Sequence, residues 1–502
     1  MGLKYFTDFE TSFRIKVINE KPIRPNRIFI LLFLISLGEM AASKSTFAQT
    51  PEIFGGAAQI EITPQESGYP HYRGASTGTH DPLFAKAMVL MEGDEKFAIL
   101  VCDLLWIERD LSIKVRTKIE ADMGIPYHNI IVSATHTHTG PAYHPNIREL
   151  TGKLRIPFDT INTTGENDSY PTWLAEKMVE AVSKAHDNAV PVMLESGSGL
   201  VDDIAFNRRF LMKDGKMTTN PGVMNPQISR TTGPVDPVFE ILLLRKKSDN
   251  RPIAGLSNFA VHADTFGGTA FSADYPGFLA KGLASMYGDQ FVSVFAAGAC
   301  GNINHVDVSG SIPRPSSEVI GKALAQAVEP DQLKALGIGK FESLSSIVYA
   351  PLQHFTQKEL EWAHQEEAPP LYVESAFLER RRRLKIRSLE RMRRTEAIPP
   401  TIGERPWKIP LEVQVFRIGN EFAIVGVPGE VFVELGLAIK EKSPFKQTLV
   451  IELTNCHIAY VPTMEAFSGG GYETVNSRLA PGGGELLVKT AIKMLEELGK
   501  SN

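Results

Sequence analysis

Short runs of β-branched and apolar residues punctuate the chain, and stretches with helical spacing fall between them. Ile130, Ile131 and Val132 form one such run, which reads as a buried strand. It leads into Ser133-Ala-Thr-His136-Thr-His138-Thr-Gly140-Pro141, where Gly-Pro breaks the strand and opens a loop. Side chains two apart on extended chain share a face, so His136 and His138 are expected to point into one site. Neutral imidazole is a common zinc ligand, and a histidine pair at a strand end suits a transition metal.

The same reading continues along the chain. Residues 56–64 alternate enough for an edge strand, and 87–92 with 97–103 form a hairpin around Gly93-Asp94. Asp110 caps a helix running to Met123, and Gly124 ends it. An amphipathic helix is expected over 170–188, and strands over 190–197, 238–246 and 252–261, the last ending on His262. A helix over 272–288 with Pro276 in its first turn precedes a strand over 291–297 and a small-residue turn, Gly298 to Asn302. Further on come a hairpin (411–418 and 422–427), a helix (431–442), a strand (448–454) and a closing helix (485–499). Strand ends repeatedly deliver polar groups to turns, as in a site at the edge of a sheet. The pattern is α/β: mixed sheets flanked by helices, with residues 50–502 as a single large domain and no internal repeat.

Composition narrows this little. At 502 residues and 43% hydrophobic the chain can bury a large core, and a net charge of -5 offers no case for nucleic acid. Cys102, Cys300 and Cys456 are too scattered for a disulfide framework or a cysteine-rich zinc site and read as small buried hydrophobes. Arg24 and Arg27 precede an apolar run, 28–37, far short of a membrane span, and Thr46-Phe47-Ala48 offers a cleavage site. Residues 1–49 therefore read as a secretory signal, and the mature protein as exported, periplasmic or secreted, without stable membrane insertion. Residues 357–407 are a basic helical insertion, with Arg380 to Arg383, Lys385, Arg387, Arg391, Arg393 and Arg394 close together. The preferred reading is a solvated helix with Phe377, Leu384, Leu389 and Met392 turned inward. The sharper one is a basic rim that attracts a polyanion. A polar, aromatic loop over 68–80 carries His71, Tyr72, Arg73 and His80 and is expected to line a pocket.

Five separated stretches resemble one family, the neutral, non-lysosomal ceramidases and their ceramidase-like relatives. They are Ser133 to Pro141, Asn258-Phe-Ala-Val-His262, Val427-Pro-Gly-Glu430, Tyr472-Glu473, and Asn207-Arg208 with Asn220-Pro221. The resemblance implies one divalent ion, Zn²⁺, held by His136, His262, Glu430 and Tyr472. It makes His138 an acid/base or an orienting group, and Arg208 a substrate contact. Read singly, Glu430 could cap a helix, Tyr472 could be a pocket wall and His262 a core histidine. Together they favour the metal.

Two departures bear on the chemistry. The family's nucleophilic serine falls at about Gly298 here, with Cys300 aligned to a neighbouring apolar position, and the chain stops where ceramidases continue into a carboxyl-terminal β-sandwich. Without the serine, a Lewis-acid metal, His138 as base, Tyr460 and Arg208 remain as catalytic candidates. Arg73, His80, Arg208 and Arg209 remain as substrate-binding candidates. The chain also resembles ceramidase-like proteins of polysaccharide-degrading bacteria, a branch that includes oligosaccharide dehydratases. The first expectation is thus a hydro-lyase that removes water from the terminal uronic acid of an anionic oligosaccharide, giving a 4,5-unsaturated uronate. Behind it stands a zinc amidohydrolase cleaving a lipid-like N-acyl amide or ester. A glycan- or lipid-binding protein without turnover comes third.

Overall fold

Alternation along the strand Phe84–Glu92 divides its side chains between two cores. Ala87 and Val89 face helices, whereas Met88 and Leu90 face a second sheet. In this computed structural model the described residues are 52–66, 68–71, 73–147, 169–337, 339–365, 374–400 and 406–500. The leader-like segment 1–49 and Tyr72 lie outside them.

Among the described residues the larger sheet has nine strands. Eight run in the order Val292–Ala297, Pro252–Phe259, Val238–Lys246, Val190–Leu200, Ile53–Glu61, Phe84–Glu92, Glu95–Cys102 and Ile130–Ala134. A smaller sheet of Phe341–Pro351, Lys408–Ile418, Phe422–Gly426 and Gln447–Ile451 packs against its inner face. Phe97 sits between Phe341 and Phe416, ring centroids 5.5 and 4.7 Å away and nearly parallel. Helices Arg109–Met123 and Ser169–Asp187 cover one part of the outer face of the large sheet, and Tyr275–Tyr287 with Ser317–Ala325 cover the other. Helices Val433–Lys442 and Gly483–Lys500 cover the outer face of the small sheet. The result is four layers, helix, sheet, sheet, helix, which is the mixed α/β arrangement expected. From Thr50 on the chain forms one compact unit.

Within the two main sheets, among the described residues, three strand pairs are parallel: Glu95–Cys102 with Ile130–Ala134, Pro252–Phe259 with Val292–Ala297, and Phe422–Gly426 with Gln447–Ile451. Their carboxyl ends meet. Glu452 N–H donates to the Ala297 carbonyl, and Ser133 Oγ to the Glu452 carbonyl. Loops leaving parallel strand ends are where α/β sheets build their sites.

Several expectations are corrected. The first strand is internal, paired on both sides, and not an edge. Glu108, rather than Asp110, is the residue before the helix Arg109–Met123. Phe341–Pro351 was not anticipated, because its Glu and Ser residues give no clean alternation. It pairs along its whole length with Lys408–Ile418, so residues 352–407 are an excursion from a hairpin. Within that excursion the basic helix Glu374–Thr395 buries Leu384, Ile386, Leu389 and Met392. Among the described residues no helix is long and apolar enough to cross a membrane. Phe97→Ala removes the ring that joins the two sheets and is expected to cost about 3–5 kcal/mol. A lower denaturant midpoint at unchanged slope checks this.

Candidate metal centre

The chain after Ala134 leaves the extended conformation at once, and His136 adopts φ 64. Strand alternation therefore does not bring the two histidines together. A left-handed bend does, held by Thr137 and Thr139 hydroxyls that donate to the Ser272 carbonyl at 2.7 and 2.9 Å. The bend costs a non-glycine residue on the order of 1–2 kcal/mol, which the surrounding hydrogen bonds offset. Its result is His138 Nε2 only 3.4 Å from His136 Nε2.

Two more parallel strand ends complete the cluster. His262 follows Pro252–Phe259, and Glu430 follows Phe422–Gly426. His136 Nδ1 donates to the Leu105 carbonyl at 2.8 Å, and His262 Nδ1 to the Cys300 carbonyl at 2.9 Å. Each bond fixes the tautomer and leaves Nε2 with a lone pair facing inward. Glu430 Oε2 lies 3.5 Å from His136 Nε2 and 3.6 Å from His262 Nε2. The other carboxylate oxygen lies 3.5 Å from His457 Nε2. These gaps are too long for hydrogen bonds, and the two to Oε2 match the separation of about 3.4 Å between tetrahedral ligands that each sit 2.0–2.1 Å from one ion. His262 Nε2, Glu430 Oε2 and His457 Nε2 are buried with no hydrogen-bond partner among the described residues. The nitrogens of His136, His138 and His262 all lie within 4.8 Å of one another. This histidine trio could hold a metal ion, and the donor chemistry fits a divalent transition ion.

Burial opposes ionisation of Glu430, but His136, His262 and His457 outweigh it and hold the carboxyl well below its usual range. Burial lowers His138 well below the ordinary imidazole value, with His136 adding to the effect. Burial and the Arg208 charge take His262 down to about 4. His136 alone is raised, because Glu430 and Glu452 overcome its burial. The cluster is one carboxylate among largely neutral imidazoles, as cation binding requires. Beneath it burial pushes Glu452 up to about 8. That side chain accepts from the Val431 N–H at 2.7 Å and from Cys300 N–H and Sγ–H at 3.2 and 3.0 Å. The Cys300 thiol is fully buried and raised well above its usual range, first by burial and then by Glu452. A thiol so placed is inert.

A small recess lined by His136, His138, Glu430, His457, Tyr460 and Arg478 adjoins a cavity of about 560 Å³. His138, Tyr460, Tyr472 and Arg381 border both. Tyr472 stands on this wall, its ring 5.4 Å from Tyr460 and 5.6 Å from Phe377. The group against Glu430 is His457, which sequence reading missed. Arg208 is buried, with Nε on Glu473 at 3.0 Å and Nη2 on the Gly301 carbonyl at 2.7 Å and on Tyr460 Oη at 3.2 Å. It reaches the cavity wall yet is chiefly a brace for Tyr460. Arg209 is committed to Glu473 at 2.6 Å and to the Gly470 carbonyl at 2.8 Å, and does not border the cavity. Arg73 and His80 border neither space. Arg73 reaches the Phe266 carbonyl at 3.5 Å, and His80 pairs with Asp81 at 2.6 Å and packs on Phe266.

The sequence profile of the neutral/alkaline non-lysosomal ceramidase N-terminal domain matches residues 52–312, just over half of the chain. The chain belongs to this ceramidase family. Neutral ceramidase B of Dictyostelium discoideum is 24% identical over 310 residues, covering 58% of this chain and 40% of that protein. Neutral ceramidase of Pseudomonas aeruginosa is 24% identical over 267 residues, covering 50% of this chain and 36% of that protein. The matches thus span less than half the length of these curated relatives. The crystal structure of the Pseudomonas aeruginosa neutral ceramidase superposes with a TM-score of 0.64 at 18% identity, covering 90% of this chain and 75% of the other. A ceramidase complexed with C2 gives 0.65, also at 18% identity. At that identity the likeness is one of fold. It extends past residue 312, so the fold of the family includes the half of the chain that carries Glu430 and His457.

In the turn 298–302, close backbone approach decides which residues fit. A Cβ on Gly301 would lie 2.5 Å from the Glu430 carbonyl oxygen, and one on Gly298 3.0 Å from the Phe259 carbonyl carbon. Gly301→Ala must push Glu430 away from the imidazoles. The expected outcome is a loss of about 1–3 kcal/mol in stability with weaker retention of a divalent ion. Denaturation and metal analysis after gel filtration check it, and unchanged metal content would separate the turn from the donor set.

Proposed function

We propose that the chain is a metal-dependent amidohydrolase that cleaves an N-acyl amide. The observation that carries this reading is the cluster of His136, His138, His262 and Glu430 at ligand spacing on the floor of a cavity, in a chain whose relatives are ceramidases. His136, His262, Glu430 and His457 are the residues we assign to the ion, with zinc as the ion. When bound, it supplies Lewis acidity beside the scissile carbonyl.

The protein's own groups supply the rest. Of the three clustered histidines, His138 is the one that also borders the large cavity. Kept neutral by burial, it is able to accept a proton from water attacking the carbonyl and to return it to the leaving nitrogen. Tyr460 accepts a hydrogen bond from Arg208, so its own O–H is left to donate elsewhere. Burial keeps that hydroxyl protonated, and it is placed to steady developing negative charge on the carbonyl oxygen. The turn 298–302 presents no hydroxyl, which favours direct attack by water over an acyl-enzyme. Phe377 and Leu378 give the cavity an apolar side suited to an acyl chain. The leader-like residues 1–49 support export.

Elimination of water from a uronate-ended oligosaccharide is the second reading. Arg381 on the cavity wall favours it, because a guanidinium there suits a carboxylated substrate. The two readings share His138 as base and differ in product. Amide cleavage adds one water in mass and leaves the near ultraviolet unchanged, whereas elimination removes one water and creates an absorbing conjugated acid. Incubation with N-acyl lipids and with uronate oligosaccharides, read by mass, decides between them.

The donor assignment predicts a split. His138→Ala should keep its ion and lose on the order of 10²–10⁴-fold in turnover. His457→Ala should lower metal affinity by about tenfold or more, read by competition with a chelator. Loss of the ion in His138→Ala with full retention in His457→Ala would exchange the two roles.

A further inference from the structure

Six arginines are buried among the described residues: Arg116, Arg208, Arg209, Arg383, Arg417 and Arg478. Five have a carboxylate partner: Glu412 for Arg116, Glu473 for both Arg208 and Arg209, Glu379 for Arg383 and Glu342 for Arg417. Arg478 has none among the described residues. Only 5% exposed, it donates to the Asn476 carbonyl and Oδ1 at 2.5 and 3.0 Å and to Ser388 Oγ at 3.3 Å. All three partners are neutral. A buried charge without a counterion is costly, and here it lies in the recess that His136, Glu430 and His457 also line.

The surroundings do not cancel the charge. Burial, with Arg391 and Arg381 nearby, lowers Arg478 to about 10, so it remains charged at neutral pH. Glu430 acts on it from within the recess, but that carboxylate already faces three imidazoles. Arg381 borders both the recess and the cavity, its guanidinium over the Phe377 and Tyr472 rings at 5.1 and 5.8 Å. Two guanidinium groups thus border one recess beside the donor cluster.

We propose that Arg478, assisted by Arg381, forms a carboxylate-binding subsite next to the metal donors, so that the substrate carries a carboxylate close to the bond that reacts. A guanidinium is a planar fork that meets a carboxylate through two parallel hydrogen bonds. This rests on the recess being the reaction site. It narrows the substrate to an N-acyl amino acid or, under elimination, to a uronate-ended oligosaccharide, since both offer the same group.

The test uses the full chain, metal-loaded, with His138→Ala to stop turnover. Calorimetry compares N-dodecanoylglycine with its methyl ester, and a glucuronate-ended disaccharide with its methyl ester. At least one free acid should bind about tenfold or more tightly than its ester, and the pair that discriminates identifies the source of the carboxylate. Arg478→Met should bring that ratio to about one, and Arg478→Lys should keep part of it. A ratio near one for both pairs with Arg478 intact overturns the subsite without need of any variant. A ratio that survives Arg478→Met, with metal content and near-ultraviolet circular dichroism preserved, overturns it as well. Carboxylate preference with no cleavage of any amide by the metal-loaded chain with His138 intact would sink amide hydrolysis and leave the subsite standing. Cleavage of neutral and acidic amides at equal efficiency would do the reverse.

Discussion

Glu430 is a carboxylate taken out of water and faced by His136, His262 and His457. Removing an ion from water costs several kcal/mol even after relaxation, so Glu430 can stay buried and charged only if positive or polarisable groups are brought to it. Much of the structure at this end of the sheets is bent to that purpose. His136 takes a left-handed conformation, and Gly301 lets the neighbouring turn pass within contact distance of the Glu430 backbone. The segment after Gln447–Ile451 turns left-handed at Leu453, Asn455 and Ala459 before Tyr460 pairs beside Glu430. Local strain of this kind gathers where function demands a geometry the chain would not adopt alone. The two-sheet core supplies the rigidity that holds it.

The layers were legible because their signals are local. The apolar runs 87–92 and 238–246, the Gly124 stop, and the amphipathic run 170–188 each belong to one element and report its type without help from elsewhere. Pairing was less so. Phe341–Pro351 finds its partner across an excursion of more than fifty residues, and its Ser-rich face carries no periodicity to advertise that. The first strand reads as an edge from its own polar residues, whereas its internal place is set by Val190–Leu200 on the other side.

The site shows the same division. His136, His138, His262 and Glu430 stand at strand ends within short motifs, and the resemblance of those motifs to the family's places them near one another. His457 and Arg478 have no motif. His457 reaches Glu430 because Glu430–Val431 pairs in parallel with Tyr460–Val461, and Arg478 because its chain returns past the basic helix to Ser388. One signal was available: His457 follows a strand end, as His136 and His262 do. Tyr472, taken as a metal ligand on a family pattern, stands on the wall of the cavity and of the recess that His136 and Glu430 line. Arg209, next to Arg208 in sequence, points its charge at the other oxygen of Glu473, so adjacency in sequence gave the pair one role where the structure gives two.

The turn at 298–302 links the fold to the chemistry. Its Cys300 carbonyl orients His262, its Cys300 thiol and N–H rest on Glu452, and its Gly301 carbonyl receives Arg208. Every polar group so named serves to position something else, and none faces the cavity as a nucleophile. A side chain at Gly298 would press on the Phe259–Ala260 backbone, with three backbone atoms 3.0–3.2 Å from its Cβ, which is the strand that carries His262. A serine at Gly298 would therefore disturb the strand end that positions His262. The turn is a support for the clustered imidazoles and Glu430, and in the proposed reaction the reacting oxygen comes from water or from the substrate itself.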